Sequence, residues 1–176
     1  MTDTVITNID QVSTEWLTSV LEKSGALTDG RVASFEPGTG QGNWSTSANL
    51  LVKYTDNAKG PCPERLFLKM VDTDLDDGET FGDSEVMYYT KDYTGLEDAP
   101  LLRCYDAGYS KELGKYHLLL EDVSETHTDA GDNEPTLGYG LALAEGLAML
   151  HSRWWGETRL AEAGASMHDA QHIQRF

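Results

Sequence analysis

Arg65-Leu66-Phe67-Leu68-Lys69-Met70 is a short apolar run that carries one lysine, and it is bounded on both sides by loop-forming residues. Its length and composition predict a strand buried on at least one face. An ammonium group within such a strand is costly unless it finds a partner. Glu85 lies 16 positions further on, near the start of a helix expected over 84–93. A helix packed across the sheet would carry its carboxylate to Lys69. The alternative places Lys69 on an outward face and Glu85 in solvent, with no contact between them.

Working outward from this run, residues 13–23 open with Ser-Thr-Glu and set Trp16, Leu17, Val20 and Leu21 at helical spacing before Gly25. Strands are expected over 31–35 and 48–54. Between them lies Gly38-Thr39-Gly40-Gln41-Gly42-Asn43-Trp44-Ser45-Thr46-Ser47, a glycine-rich turn. Residues 56–61 read as a loop and 72–79 as an acidic loop. Two further strands are expected over 101–105 and 116–121. A polar, acidic stretch follows to 134, then an apolar helix over 137–155. Five strands with one helix inserted after the third predict an α+β fold, an antiparallel sheet backed by that helix. Residues 1–124 are expected to form this unit, 125–135 a linker, and 136–176 the beginning of a helical lobe.

The 176 residues include 13 Lys and Arg against 30 Asp and Glu, a formal net charge of −17. Such a surface repels nucleic acid and anionic membranes, although a few local donors can still hold one small anion. Cys62 and Cys104 stand far apart with no Cys or His at ligand spacing, so neither zinc nor a disulfide framework is expected. The start, Met1-Thr2-Asp3-Thr4, lacks the basic and apolar pattern of a secretory signal. The most apolar stretch, 139–150, contains Glu145 and falls short of the roughly 20 residues that cross a bilayer. A cytoplasmic location is the expectation.

The candidate site residues follow from this order. In kinases a strand lysine paired with a helix glutamate is held against the nucleotide phosphates, which nominates Lys69 and Glu85. Gly38, Gly40 and Gly42 allow close backbone approach to a ligand, and Asn43, Ser45 and Thr46 add side-chain donors. The turn is not a Walker loop, because the Gly-Lys-Ser/Thr ending is absent, and no helix follows it as a dinucleotide fingerprint requires. Leu118-Leu119-Leu120-Glu121-Asp122-Val123 ends a strand where a kinase hinge would meet adenine, so Glu121 and Val123 are nominated by place. His168 and His172 are four apart, without the intervening glutamate of a metalloprotease helix, and are read as solvated.

Six ordered blocks resemble the phosphotransferases related to aminoglycoside phosphotransferase, choline kinase and the ecdysteroid kinase-like proteins. Pro37 to Gly42 with Leu50-Leu51-Val52-Lys53-Tyr54 resembles the nucleotide loop and second strand, and Phe67-Leu68-Lys69-Met70 the lysine strand. Residues 81–89, containing Glu85-Val86-Met87-Tyr88-Tyr89, resemble the glutamate helix. Pro100-Leu101-Leu102-Arg103-Cys104-Tyr105 and 118–124 resemble the fourth strand and the hinge strand. Leu147-Ala148-Met149-Leu150-His151 with Trp154-Trp155 resembles the first long helix of the C-terminal lobe.

The resemblance implies a protein-kinase-like fold and ATP-dependent phosphorylation of a small-molecule hydroxyl, with Mg2+ bridging the phosphates. Lys69 and Glu85 would orient phosphates, the 38–46 loop would cover them, and 121–123 would meet adenine. The family's His-Gly-Asp catalytic loop does not occur in these 176 residues, so no catalytic residue or metal ligand is nominated. The expectation is a fragment inactive in phosphoryl transfer, or alternatively a non-catalytic kinase-like binding or regulatory module. The helix over 137–155 should expose apolar surface, with a homodimer, other association or aggregation through it as the expected consequence.

Overall fold

The computed structural model describes residues 4–38, 40–41, 45–73, 83–96, 99–127, 131 and 134–158. The fold is α+β. Strands β1 (Val32–Pro37), β2 (Gly40–Gln41), β3 (Ser45–Tyr54), β4 (Arg65–Asp72), β5 (Cys104–Ser110) and β6 (Lys115–Glu121) accompany helices α1 (Thr14–Lys23), α2 (Ser84–Met87) and α3 (Leu137–Trp154). Five strands form an open antiparallel sheet in the order β1-β3-β4-β6-β5, and the two-residue β2 pairs with β3 off that path.

Alternation in β4 gives the sheet its two faces. Leu66, Leu68 and Met70 join one core with Ala48, Leu50 and Val52 of β3, Ile6 and Val12 of the N-terminal segment, and Leu17, Val20 and Leu21 of α1. Phe67 and Val71, on the other side, pack with Val86 of α2 and with Tyr116, Leu118 and Leu120 of β6. Helix α1 starts where the Ser13 hydroxyl caps the Trp16 N–H at 3.1 Å. Its apolar stripe at 17, 20 and 21 then faces the sheet. The expected single packed helix is therefore corrected to two, one on each face.

Several boundaries also move. The strand expected over 101–105 runs from 104 to 110, and Leu101 and Leu102 instead line a shallow surface pocket with Tyr88, Tyr89 and Tyr93. Part of the glycine-rich turn is drawn into the sheet as β2, with Gly40 opposite Ser47. The helix expected over 84–93 is α-helical only through Met87 and continues over Tyr88–Asp92 as a π-helix. The Thr90 hydroxyl donates to the Val86 carbonyl at 2.7 Å, the acceptor its own N–H would use in an α-helix. Further on, the Tyr93 N–H bonds to Tyr88 O, five residues back.

Helix α3, capped by the Thr136 hydroxyl on the Tyr139 N–H, touches the rest of the chain mainly at its end. Trp154 Nε1 donates to the Tyr93 hydroxyl at 2.9 Å, and Arg153 Nε donates to the Asp92 carbonyl at 3.2 Å. Leu137 and Leu141 are 80 % and 61 % exposed, and Leu143 and Leu147 are exposed as well. The expected apolar surface is present. No helix among the described residues is long and apolar enough to cross a membrane.

Candidate functional site

Lys69 and Glu85 meet. Because Phe67, Lys69 and Val71 project to the α2 side of the sheet, the lysine faces the helix that follows it in sequence. Its Nζ donates to both carboxylate oxygens of Glu85 at 2.7 Å, and the two side chains are 28 % and 29 % exposed. The pair thus lies at the rim of the core, partly exposed. An ammonium has three N–H donors, and with two committed to Glu85 one is left for an external anion. The Tyr116 phenol donates to Glu85 Oε2 from within the core. Burial raises the phenol's pKa well above its ordinary value, and the hydrogen bond to Glu85 adds to the rise.

The register decides which of the other nominated donors share this face. Ser47 stands opposite Lys69 and Ser45 opposite Val71, so both lie on the lysine side, and Ser47 is buried. Thr46 stands opposite Met70, on the α1 side, away from Lys69. The inward run Ala48, Leu50 and Val52 implies that 45, 47 and 49 form the other face, which is the signal in the sequence for Ser47. The Gly38 N–H is spent on the Asn49 carbonyl at 2.7 Å, while Gly40 sits in β2. Gly42 and Asn43 lie outside the described residues, as do His168 and His172.

At the end of β6, the Glu121 N–H donates to the Arg103 carbonyl at 2.8 Å, and the Val123 carbonyl accepts the N–H groups of Thr126 and His127 at 2.9 Å. These two backbone groups are hydrogen-bonded within the chain. Between them Asp122, whose side chain is 3 % exposed, accepts from Asn49 Nδ2 at 3.2 Å and from the Ser124 N–H at 2.9 Å, with Arg65 Nη2 at 3.3 Å. Arg65 also reaches Glu125 at 2.8 Å. This network ties β3, β4 and the end of β6 together. It was not foreseen because its members are scattered along the chain.

Two other chemistries find no support among the described residues. No group of three or more His, Cys, Asp or Glu could hold a metal ion. Both cysteines are free thiols, and burial, with the Asp106 charge adding to it, pushes the Cys104 thiol up to about 12, far from a nucleophilic thiolate. What remains is a point cation clamped by a carboxylate, beside two serine hydroxyls and a glycine-rich hairpin. That arrangement can bind an anionic oxygen cluster.

No family model, no curated protein and no solved structure matches the chain.

Proposed function

We propose that this chain is the nucleotide-binding part of an ATP-dependent phosphotransferase whose acceptor is the hydroxyl of a small molecule. The observation that carries the reading is the bidentate contact between Lys69 and Glu85, formed across a strand and the following helix beside a glycine-rich hairpin. This is the arrangement by which kinases hold a lysine against nucleotide phosphates. Ser45 and Ser47, on the same face, supply hydroxyl donors to phosphate oxygens. The free N–H of Lys69 and these hydroxyls suit a polyphosphate. The described carboxylates offer Mg2+ no ready-made cage. The small-molecule hydroxyl acceptor rests on the family resemblance alone.

The reading is tested by titrating ATP, with and without magnesium, into the wild-type chain and Lys69→Ala. Binding that weakens by about tenfold or more in the variant, about 1.4 kcal/mol, is expected. Equal affinity in both would remove Lys69 from the site, and no binding by either would remove the nucleotide.

A second reading, a non-catalytic kinase-like module that pairs with another chain, is favoured by the exposed leucines of α3. It predicts nucleotide binding without phosphoryl transfer, together with self-association.

A further inference from the structure

We infer that Tyr116 is a positioning residue of this site, holding Glu85 in place so that the Lys69 ammonium is aimed at its ligand before the ligand arrives. The inference rests on the nucleotide reading above and adds a third member to the pair.

The geometry that carries it is cross-strand. Lys69 pairs with Leu118 and Val71 with Tyr116 in the β4–β6 ladder, so Tyr116 is the diagonal neighbour of Lys69 on the same face. Its ring is buried with Val86, the residue after Glu85, and its hydroxyl donates to Glu85 Oε2. Lys69 holds the same carboxylate from the solvent side through both oxygens. Glu85 is therefore gripped from inside by a neutral donor and from outside by a charged one. When phosphate oxygens draw on the ammonium, the inner bond keeps the carboxylate from following or rotating away. The lysine side chain is then pre-oriented, and less of the binding free energy goes into ordering it. The buried phenol in turn needs an acceptor, and Glu85 supplies it.

Tyr116→Phe removes one oxygen and keeps the ring. Mg-ATP binding should weaken by about fivefold, and the thermal midpoint should fall by several degrees with the loss of a hydrogen bond to a charged group, so affinities are compared at a temperature where both proteins are folded. In a Glu85→Gln background the same substitution should have little further effect, a coupling that a merely structural tyrosine would not show. Additive losses in the double variant would overturn the inference, as would unchanged affinity in Tyr116→Phe. If Tyr116→Phe proves too unstable to titrate, the tyrosine ring-mode Raman doublet of the wild type is compared with that of Glu85→Gln. A change is expected as the phenol's acceptor loses its charge, and an unaltered doublet would overturn the inference. If the wild type binds Mg-ATP and Lys69→Ala weakens it while Tyr116→Phe does not, only the role of Tyr116 fails. If the wild type does not bind, the nucleotide reading fails and the assigned role of Tyr116 with it.

Discussion

Gly108 on β5 and His117 on β6 face each other across one edge of the sheet, so closely that a Cβ at 108 would stand 2.9 Å from the imidazole Cε1. The ring cannot step aside. It is fully buried, its Nδ1 accepts the Ile6 N–H at 3.2 Å, and its Nε2 lies 3.0 Å from Asp106 Oδ2. Since Nδ1 is an acceptor, the proton is assigned to Nε2, which donates to the carboxylate. Trp16 adds an edge contact at 5.8 Å between centroids. His117 thus fastens the N-terminal segment to a strand 111 positions away. Gly108→Ala should cost about 1–3 kcal/mol by overpacking. Measured by urea unfolding, that cost should largely vanish in a His117→Ala background, because the atom it strikes is gone. Equal costs in the two backgrounds would count against the clash.

The contrast between Lys69 and His117 shows how much of the molecule was legible in the sequence. Lys69 announced a partner because a charge in an apolar strand needs one, and the nearest carboxylate on a following helix supplied it. His117 carried no such signal, since its partners, Ile6 and Asp106, come from a remote segment and from a strand that reads as a turn. Asp-Ala-Gly at 106–108 breaks the apolar alternation on which strand recognition depends, so β5 was expected too early. The face that Thr46 occupies was illegible for the same reason. A loop composition says which residues can donate hydrogen bonds, and only the strand register says which face they occupy. Tyr116 and the Asp122 network are contacts between strands and loops distant in sequence, and no local pattern encodes them.

Asp122 makes the chain's stability pH-dependent in a defined direction. Burial alone would raise its carboxyl pKa, but the hydrogen bonds from Ser124, and then the charge of Arg65, outweigh it and hold the group below its ordinary 3.8. A carboxyl with a lower pKa folded than unfolded contributes stability that is complete above the unfolded value. That contribution is lost as pH falls through the folded value. Across the same range, protonation of other acidic residues relieves the self-repulsion of a chain with net charge −17. The clean observable is therefore a difference. Urea midpoints of the wild type and Asp122→Asn should lie furthest apart near neutral pH and converge below about pH 4. A constant gap across the range would show that Asp122 does not titrate as argued.

Helix α3 presents Leu137, Leu141, Leu143 and Leu147 to solvent, with Tyr139 beside them. Glu145 and Arg153 are its only Asp, Glu, Lys or Arg residues. The helix is therefore nearly neutral in a strongly acidic chain, so two copies can approach along it against less repulsion than elsewhere. Burying an exposed leucine contributes about 1.5–3 kcal/mol, so a few such side chains outweigh much of the cost of association. Sedimentation of the wild type should show self-association that rises with concentration. Leu137→Gln combined with Leu141→Gln should abolish it, and at concentrations dilute enough to keep the wild type monomeric should leave the unfolding midpoint unchanged, because both side chains already stand in water in the single chain. A clean monomer at high concentration would refute the prediction. A variant that associates like the wild type would move the contact to another surface.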